Sequence, residues 1–151
     1  MDELARSHTL QQAYSYWQRK KGDRPFPTRQ DLEPDEMKPF LPQVMLIDVL
    51  NGPLDFVYRV FGTGISLPLG RDYTRKSVRR LEPPQFAELI WRQYGEALTA
   101  RAPVLHSVER VAGGMTRRYL RLTMPLSTDG TTVDKLFAVS TENSAFWTGI
   151  A

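Results

Sequence analysis

Residues 55–74 of this chain, DFVYRVFGTGISLPLGRDYT, are the part of the sequence that is most informative about its fold. The first seven, Asp55 to Phe61, are rich in β-branched and aromatic side chains and predict a strand. The strand runs into Gly62-Thr63-Gly64, then a short apolar helical turn, then Gly70-Arg71-Asp72. Glycines directly after a strand indicate positive φ or a close backbone approach. Such a junction can form the lip of a small-molecule pocket, and none of its residues has catalytic character.

A second apolar run lies just before this stretch. Val44 to Leu50 reads VMLIDVL and is separated from the first run by Asn51-Gly52-Pro53-Leu54. Two β-rich runs around an Asn-Gly turn predict a hairpin. With this loop, Leu50 faces Asp55 and Asp48 faces Val57.

Apolar periodicity predicts two helices. Over residues 9–20 the spacing i, i+3, i+4, i+7 indicates an amphipathic helix whose apolar face is Leu10, Ala13, Tyr14 and Trp17. Residues 83–100 form the second predicted helix, and it is the most strongly patterned in the chain. Pro103 follows its end, as is common after a helix stop.

Three further strands are predicted toward the C-terminus, over residues 104–111, 117–126 and 133–141. Strands grouped around one helical segment imply an α+β domain, with an antiparallel sheet and helices on one face. The last strand is apolar on both sides, with Leu136 on one and Phe137 on the other. The second face must therefore also be covered. The extra N-terminal helix, or its copy in a partner chain, is the expected cover.

Composition limits the function classes. The 151 residues suit one domain, which we divide into an N-terminal flanking helix (1–22), a core (23–142) and a C-terminal tail (143–151). The absence of cysteine excludes disulfides, thiolate metal sites, a cysteine nucleophile and a cysteinyl cofactor adduct. The polar, acidic N-terminus does not resemble a signal peptide, and no apolar run is long enough to span a bilayer. We expect a soluble, cytoplasmic protein.

Several motifs occur in order along the chain. They are Phe26-Pro27-x-Arg29-x-Asp31-x-x-Pro34, Leu41-Pro42, Leu46-Ile47-Asp48-Val49, Asp55-Phe56-x-Tyr58-Arg59-Val60-x-Gly62-Thr63 and Gly70-Arg71-Asp72-x-Thr74. Together they resemble a PAS domain, of the short stand-alone bacterial kind found largely in alphaproteobacteria, over about residues 10–142. One position departs from the pattern, because Thr74-Arg75 stands where the resemblance leads us to expect Thr-Gly.

The resemblance implies a fold and a mode of action. It implies a PAS-like five-stranded antiparallel sheet with one long helix across it, enclosing either a ligand cavity or a plain core. It also implies signalling through protein contacts, with homodimerisation through the flanking helix at Leu10, Ala13, Tyr14 and Trp17. Because the chain has no recognisable output region, we expect it to pass its signal to another protein.

The best-known PAS cofactors fit this chain poorly. Covalent flavin and thioester chromophores need a cysteine, which is absent. Haem needs an axial ligand, and the two histidines, His8 and His106, lie in a tail and a strand. We therefore expect no haem, no metal and no covalent cofactor, and at most a small non-covalent ligand. The candidate pocket residues are Tyr58, Arg59, Gly62, Ile65, Leu69, Tyr73, His106 and Tyr119.

Two sets of charged residues allow alternative interpretations. Asp48 and Arg59 are predicted to lie diagonally opposite each other across the hairpin. They can form an ion pair that fixes the strand register, or Asp48 can act as a catalytic or ligand-binding carboxylate. The net charge is +3, of which residues 71–80 contribute +4 (five bases, one acid) and the rest −1. The basic patch of these residues is Arg71, Arg75, Lys76, Arg79 and Arg80.

The basic patch could be a solvated face or a binding surface. If residues 71–80 were helical, Arg71, Arg75 and Arg79 would form a stripe at i, i+4, i+8 able to meet phosphates, nucleic acid or an acidic partner. Only Tyr73 is interleaved with these bases, which disfavours nucleic acid. On a later strand, Arg117, Tyr119 and Arg121 share one face and could extend the patch or line a cavity.

The function that this pattern favours is a sensor or adaptor rather than an enzyme. No nucleophile with a base, no paired carboxylates and no metal cluster occur at a convincing spacing. Two alternatives remain: a small-ligand α+β enzyme using Asp48 and His106, and a nucleotide- or nucleic-acid-binding module built on the basic patch.

Overall fold

The computed structural model describes residue 4, residues 6–141 and the backbone of residues 144–147. Within the described residues, α-helices span His8–Lys21 (α1), Thr63–Leu69 (α2) and Pro84–Ala100 (α3). The described strands are β1 (Val44–Leu50), β2 (Asp55–Phe61), β3 (Val104–Ala112), β4 (Met115–Leu126), β5 (Lys135–Ser140) and β6 (Ser144–Trp147). Short 3₁₀ turns lie at Arg29–Asp31, Pro34–Met37, Leu41–Gln43 and Val78–Arg80.

The strands form one antiparallel sheet in the order β2-β1-β5-β4-β3, which confirms the predicted α+β fold with five strands. The sixth strand was not predicted. It lies in the segment that was assigned to a C-terminal tail, and it pairs with the first residues of β4, Met115 to Arg118. The remaining tail positions, 142, 143 and 148–151, lie outside the described residues, as do positions 1–3 and 5 of the flanking segment.

The hairpin of β1 and β2 has the predicted register, with Leu50 opposite Asp55 and Asp48 opposite Val57. One feature was not predicted. Leu46 pairs with Val60 and Ile47 with Tyr58, so that Arg59 is an extra residue in β2. A bulge of this kind increases the local twist and turns the end of a strand.

The glycine junction depends on close approach rather than on positive φ. Gly62 has φ −61°, and its N–H donates to the Val44 carbonyl at 2.9 Å. A Cβ on Gly62 would lie 2.2 Å from the Pro42 carbonyl oxygen. Gly70 is different, because it ends α2 in the left-handed region at φ 81°. Helix α2 therefore starts from a backbone contact that only glycine permits.

The sheet is covered on both faces by this same chain. On one face α2 and α3 enclose a cluster that includes Tyr58, Ile65 and Tyr94. On the other, α1 packs on a second cluster that includes Val44 and Phe137. The two clusters use alternate residues of each strand, which explains why β5 is apolar on both sides.

Helix α1 contributes its apolar face to the second cluster. Leu10 and Ala13 are fully buried and Trp17 is nearly so, while Tyr14 packs at the edge. The Trp17 indole N–H donates to the Pro125 carbonyl at 2.9 Å. The face predicted to hold a dimer together is therefore occupied by the chain's own sheet. The expected cover of the second face is the chain's own helix and not a partner's.

Candidate ligand cavity

A small cavity of about 20 Å³ lies between the sheet and helices α2 and α3. A space of this size holds one or two water-sized groups. Four of the residues predicted to line a pocket do line it, namely Tyr58, Ile65, Leu69 and Tyr119. Most of the wall is apolar, which is typical of small-molecule sites in which a few polar groups give orientation.

Arg121 is the unusual member of this wall. Its side chain projects from β4 and is 1% exposed, which makes it the largest fully buried side chain among the described residues. The guanidinium donates from Nη2 to Gln93 Oε1 at 2.8 Å and from Nε to Thr123 Oγ1 at 3.2 Å. Its Cζ lies 4.7 Å from the ring centroid of Tyr94. Within residues 6–141, no carboxylate forms an ion pair with it.

Two tyrosines form a short hydrogen-bonded chain beside Arg121. The hydroxyl oxygens of Tyr58 and Tyr94 lie 3.0 Å apart, and the Tyr94 hydroxyl points to the Met45 sulfur at 3.9 Å. Burial raises the pKa of Tyr58 well above its usual value and also raises the pKa of Tyr94. Both phenols therefore stay neutral and keep their protons for hydrogen bonding at physiological pH.

The other predicted pocket residues lie elsewhere. Arg59 is the exposed bulge residue of β2 and interacts with Asp48. Gly62 contacts Pro42, and Tyr73 is buried edge-on to Phe61, with ring centroids 5.7 Å apart. A bulge, a backbone contact and a core ring therefore place these three residues outside the wall of this cavity, and Arg59 instead borders a surface pocket with Asp48 and Lys135.

His106 lies beside the cavity and not in its wall. It is opposite Arg121 in the pairing of β3 with β4, and its Nε2 is 3.1 Å from Glu96 Oε2. Its Nδ1 is buried without a hydrogen-bond partner. Burial lowers the pKa of His106, and the charge of Arg121 adds to this, while Glu96 opposes it. Among the described residues, no three His, Asp or Glu side chains are grouped so that they could hold a metal ion.

The polar residues that matter most in the cavity were only partly foreseeable. Arg121 and Tyr119 were predicted to share one face of β4. This alternation was the feature of the sequence that indicated a place for Arg121 in a cavity wall. Gln93 and Tyr94 lie on the buried face of α3. Sequence periodicity indicates which residues share a face of β4 and which share a face of α3. It did not show that those faces bring Arg121 against Tyr94.

The basic patch does not form a helical stripe. Residues 71–76 are irregular, Ser77 forms an isolated β-bridge with Val57, and Arg75 lies in the left-handed region at φ 68°. Arg71 stacks on Tyr73, with Cζ 5.6 Å from the ring centroid, and Arg79 stacks on Trp91 at 5.3 Å. The i, i+4, i+8 stripe required a helix over residues 71–80, and that condition is not met because the turn at Arg75 interrupts any regular helix.

A surface groove of about 500 Å³ lies where the basic patch meets α3. Arg79 and Arg80 border it together with Trp91, whose indole N–H is buried without a partner. Glu82 and Glu88 also line the groove, so its charge is mixed.

Asp48 forms ion pairs with two cations. Arg59 binds one of its carboxylate oxygens, and Lys135 Nζ lies 3.3 Å from the other. Asp48 lies on the same face of β1 as Leu46, which packs toward α1. His106 lies on the same face of β3 as Val108, which packs toward α3. Strands β5 and β4 also separate them. The predicted catalytic pair of Asp48 and His106 is thus on opposite faces of the sheet.

Comparison with known proteins gives a consistent result for the fold. A family model described as PAS domain matches residues 5–140, and no curated protein matches the chain. The PAS domain of a Colwellia psychrerythraea protein is 12% identical with a TM-score of 0.50, covering 72% of this chain and 93% of that chain. At this identity the likeness concerns the fold alone.

Two further solved structures are similar at lower scores. A sensory box sensor histidine kinase from Vibrio cholerae has a TM-score of 0.48 at 17% identity, covering 72% of this chain and 89% of that chain. The PAS domain of BvgS from Bordetella pertussis has a TM-score of 0.44 at 16% identity, covering 67% and 75%. No helix in the described part of the chain is both long and apolar enough to span a bilayer.

Proposed function

This chain belongs to the PAS domain family, whose model matches residues 5–140, and from that premise we propose a cytoplasmic sensor or adaptor. It signals through protein–protein contacts and is gated by a small ligand held without a covalent bond. Its assignment to the alphaproteobacterial type of the family stays a prediction.

The observation that carries the ligand part of this proposal is the polar cluster of Arg121, Tyr58 and Tyr94 in the core. A buried cation costs free energy unless it is paired, and an apolar side chain of similar volume is often at least as stable. A core that served only the fold would gain nothing from Arg121. A cavity wall that orients a ligand needs a few polar groups of this kind.

Helix α3 supports a route from the cavity to the surface. Its Gln93 and Tyr94 contact Arg121, and its Trp91 lines the outer groove beside Arg79. Trp91 and Tyr94 both pack edge-on against Phe56, so we expect a ligand that displaces Tyr94 to displace Trp91 as well. We propose that the groove and the adjoining basic patch contact a partner protein that carries an acidic segment. The patch contributes the charge complementarity, since residues 71–80 sum to +4.

The alternatives have less support. A nucleic-acid module would need a row of cations along one surface, and the turn at Arg75 breaks that row. An enzyme built on Asp48 and His106 would need the two side chains on one face of the sheet. Homodimerisation stays a prediction, and a dimer would have to use a surface other than the buried face of α1.

The test is hydrogen-exchange mass spectrometry of the full chain with a panel of neutral, cationic and anionic small molecules. Molecules that raise the melting temperature are carried forward. We expect slower exchange in α3 and also at Arg79, Arg80 and Glu82, which border the outer groove and do not line the cavity. If no molecule of any class raises the melting temperature, or if the effect stays within the cavity wall, ligand gating is wrong.

A further inference from the structure

We propose that the ligand of this cavity is a small monovalent anion, a halide or a formate-sized carboxylate, bound as the counter-ion of Arg121. This inference rests on the proposed sensor function and specifies the chemical class of its ligand. It is carried by the charge, the hydrogen-bonding groups and the size of the cavity.

The first argument is the unpaired charge of Arg121. A guanidinium stays protonated in proteins, so it cannot escape burial by losing its charge. Its hydrogen-bond acceptors, Gln93 and Thr123, are both neutral. The Tyr94 ring stabilises the cation through its π face but adds no negative charge. The buried net charge of +1 therefore lacks a compensating anion within residues 6–141.

The second argument is the balance of donors and acceptors. The polar groups in the wall are the Arg121 guanidinium and the hydroxyls of Tyr58, Tyr94 and Tyr119. The hydrogen-bonded chain of Tyr58 and Tyr94 ends on the Met45 thioether, which is a weak acceptor. A bound anion would accept hydrogen bonds from the guanidinium and a phenol at once. Charge-assisted hydrogen bonds of this kind are about twice as strong as neutral ones.

The third argument is the absence of competing acids. None of the eleven residues that line the cavity is Asp or Glu. Glu96 is bound to His106, and its side chain is 55% exposed. His106 itself does not supply negative charge. Within residues 6–141, no carboxylate is therefore placed to act as the negative partner of Arg121, and a bound anion would supply that charge.

Size restricts the ligand further. A volume of about 20 Å³ admits one or two water-sized groups. A chloride or a formate is of this order, whereas a larger carboxylate requires Phe61, Leu69 or Tyr119 to move away. A neutral solute of the same size would leave the charge of Arg121 uncompensated.

The experiment measures thermal unfolding at a fixed sodium concentration. Sodium gluconate, whose anion is too large for the cavity, is replaced stepwise by sodium chloride, bromide, formate or acetate. For the wild-type protein we expect a saturable rise of melting temperature with at least one small anion. A larger effect of the halides identifies an inorganic anion, and a larger effect of formate identifies a carboxylate.

Two variants and one control link the rise to Arg121. Arg121→Met keeps the volume but removes the charge, and we expect it to lose the rise. Tyr58→Phe keeps the core ring and removes one donor, so we expect about tenfold weaker apparent binding. Arg92→Met removes an exposed arginine of α3 and should respond like the wild type. If Arg121→Met does not fold, Tyr58→Phe and the line width of the chloride NMR signal decide the outcome.

The outcomes separate this inference from the proposed function. If neutral or cationic molecules stabilise the wild type and no small anion does, the anion is wrong and ligand gating stands. If Arg121→Met responds to anions as the wild type does, Arg121 is not the binding group and the inference is overturned. If no molecule of any class stabilises the wild type, both proposals fail.

Discussion

Gly62 lies so close to Pro42 that a Cβ atom on it would be 2.2 Å from the Pro42 carbonyl oxygen and 2.7 Å from its carbon. The neighbouring atoms belong to the backbone, and Gly62 is held there by its hydrogen bond to the Val44 carbonyl at 2.9 Å. The segment before β1 and the junction after β2 are therefore locked together at this contact.

Gly62→Ala should destabilise the fold because the backbone of Pro42 would have to move. We expect a loss of about 3 kcal/mol in the free energy of unfolding, measured by urea denaturation. Gly95→Ala is the matched control, because nothing lies within 4 Å of a Cβ at this helical position. It should gain about 0.5–1 kcal/mol. Equal stability of the two variants would contradict the proposed contact.

Arg75→Gly should stabilise the protein. Arg75 has φ 68°, and its N–H donates to the Tyr58 carbonyl at 2.6 Å, which holds the turn against β2. Left-handed backbone costs a residue with a side chain about 1–2 kcal/mol, and glycine escapes this cost but loses some entropy. We expect a net gain of up to about 1 kcal/mol in chemical denaturation. Arg75→Ala keeps the strain and should show no gain.

Asp48→Ala should destabilise the hairpin, because Arg59 and Lys135 both lose their partner. The Asp48 side chain is 14% exposed, whereas Arg59 is 62% and Lys135 32% exposed, so both cations can reach water. We therefore expect a loss of about 2 kcal/mol, less than for a fully buried pair. Asp48→Asn should lose most of the same stability. An unchanged melting temperature together with a lost response to ligands would instead favour the ligand-binding interpretation of Asp48.

Acidification should weaken the fold through His106. Burial lowers the pKa of His106 in the folded protein, so the unfolded chain binds the proton more readily. The contribution of neutral His106 to the free energy of unfolding is fully present above the pKa of the unfolded chain, about 6.5, and is lost as pH falls below that value. The loss is at most about 1.4 kcal/mol per pH unit. The carboxyl groups whose pKa values are lowered, such as Asp31 and Asp129, act at lower pH.

The measurement for His106 is the free energy of unfolding from pH 7 to pH 5. His106→Gln can still bond Glu96 but cannot titrate, so its stability should change less over this range. Parallel curves for the variant and the wild type would show that another group carries the dependence.

Leu10→Ala tests whether the apolar face of α1 is core or a dimer contact. Leu10 is 0% exposed against the sheet, so we expect a loss of about 3 kcal/mol in stability. Ser15→Ala changes an exposed position of the same helix and should be neutral or slightly stabilising. Sedimentation velocity of the folded variant should show the oligomeric state of the wild type. A stable monomeric Leu10→Ala variant of a dimeric wild type would restore the dimer interpretation.

Local sequence patterns predicted correctly those strands whose limits and pairing depend only on residues close in sequence. The limits of β1 and β2 and their register were predicted correctly, because alternation and the Asn-Gly turn act within a few residues. The need for a cover on the second face also followed from the double-sided pattern of β5. The bulge at Arg59 and the strand β6 were missed, because both depend on pairing with distant residues.

The α+β class, the family resemblance and the exclusion of cysteine chemistry all followed from residue types and their local order. Tertiary packing establishes that α1 covers its own sheet, that the basic patch turns at Arg75, and that Arg121 lies against Tyr94 with no carboxylate of residues 6–141 paired to it. Arg121 is on β4 and Tyr94 on α3, and their contact exists because the sheet brings β4 beneath that helix. Periodicity indicates which way a side chain points, but only packing determines what it meets there.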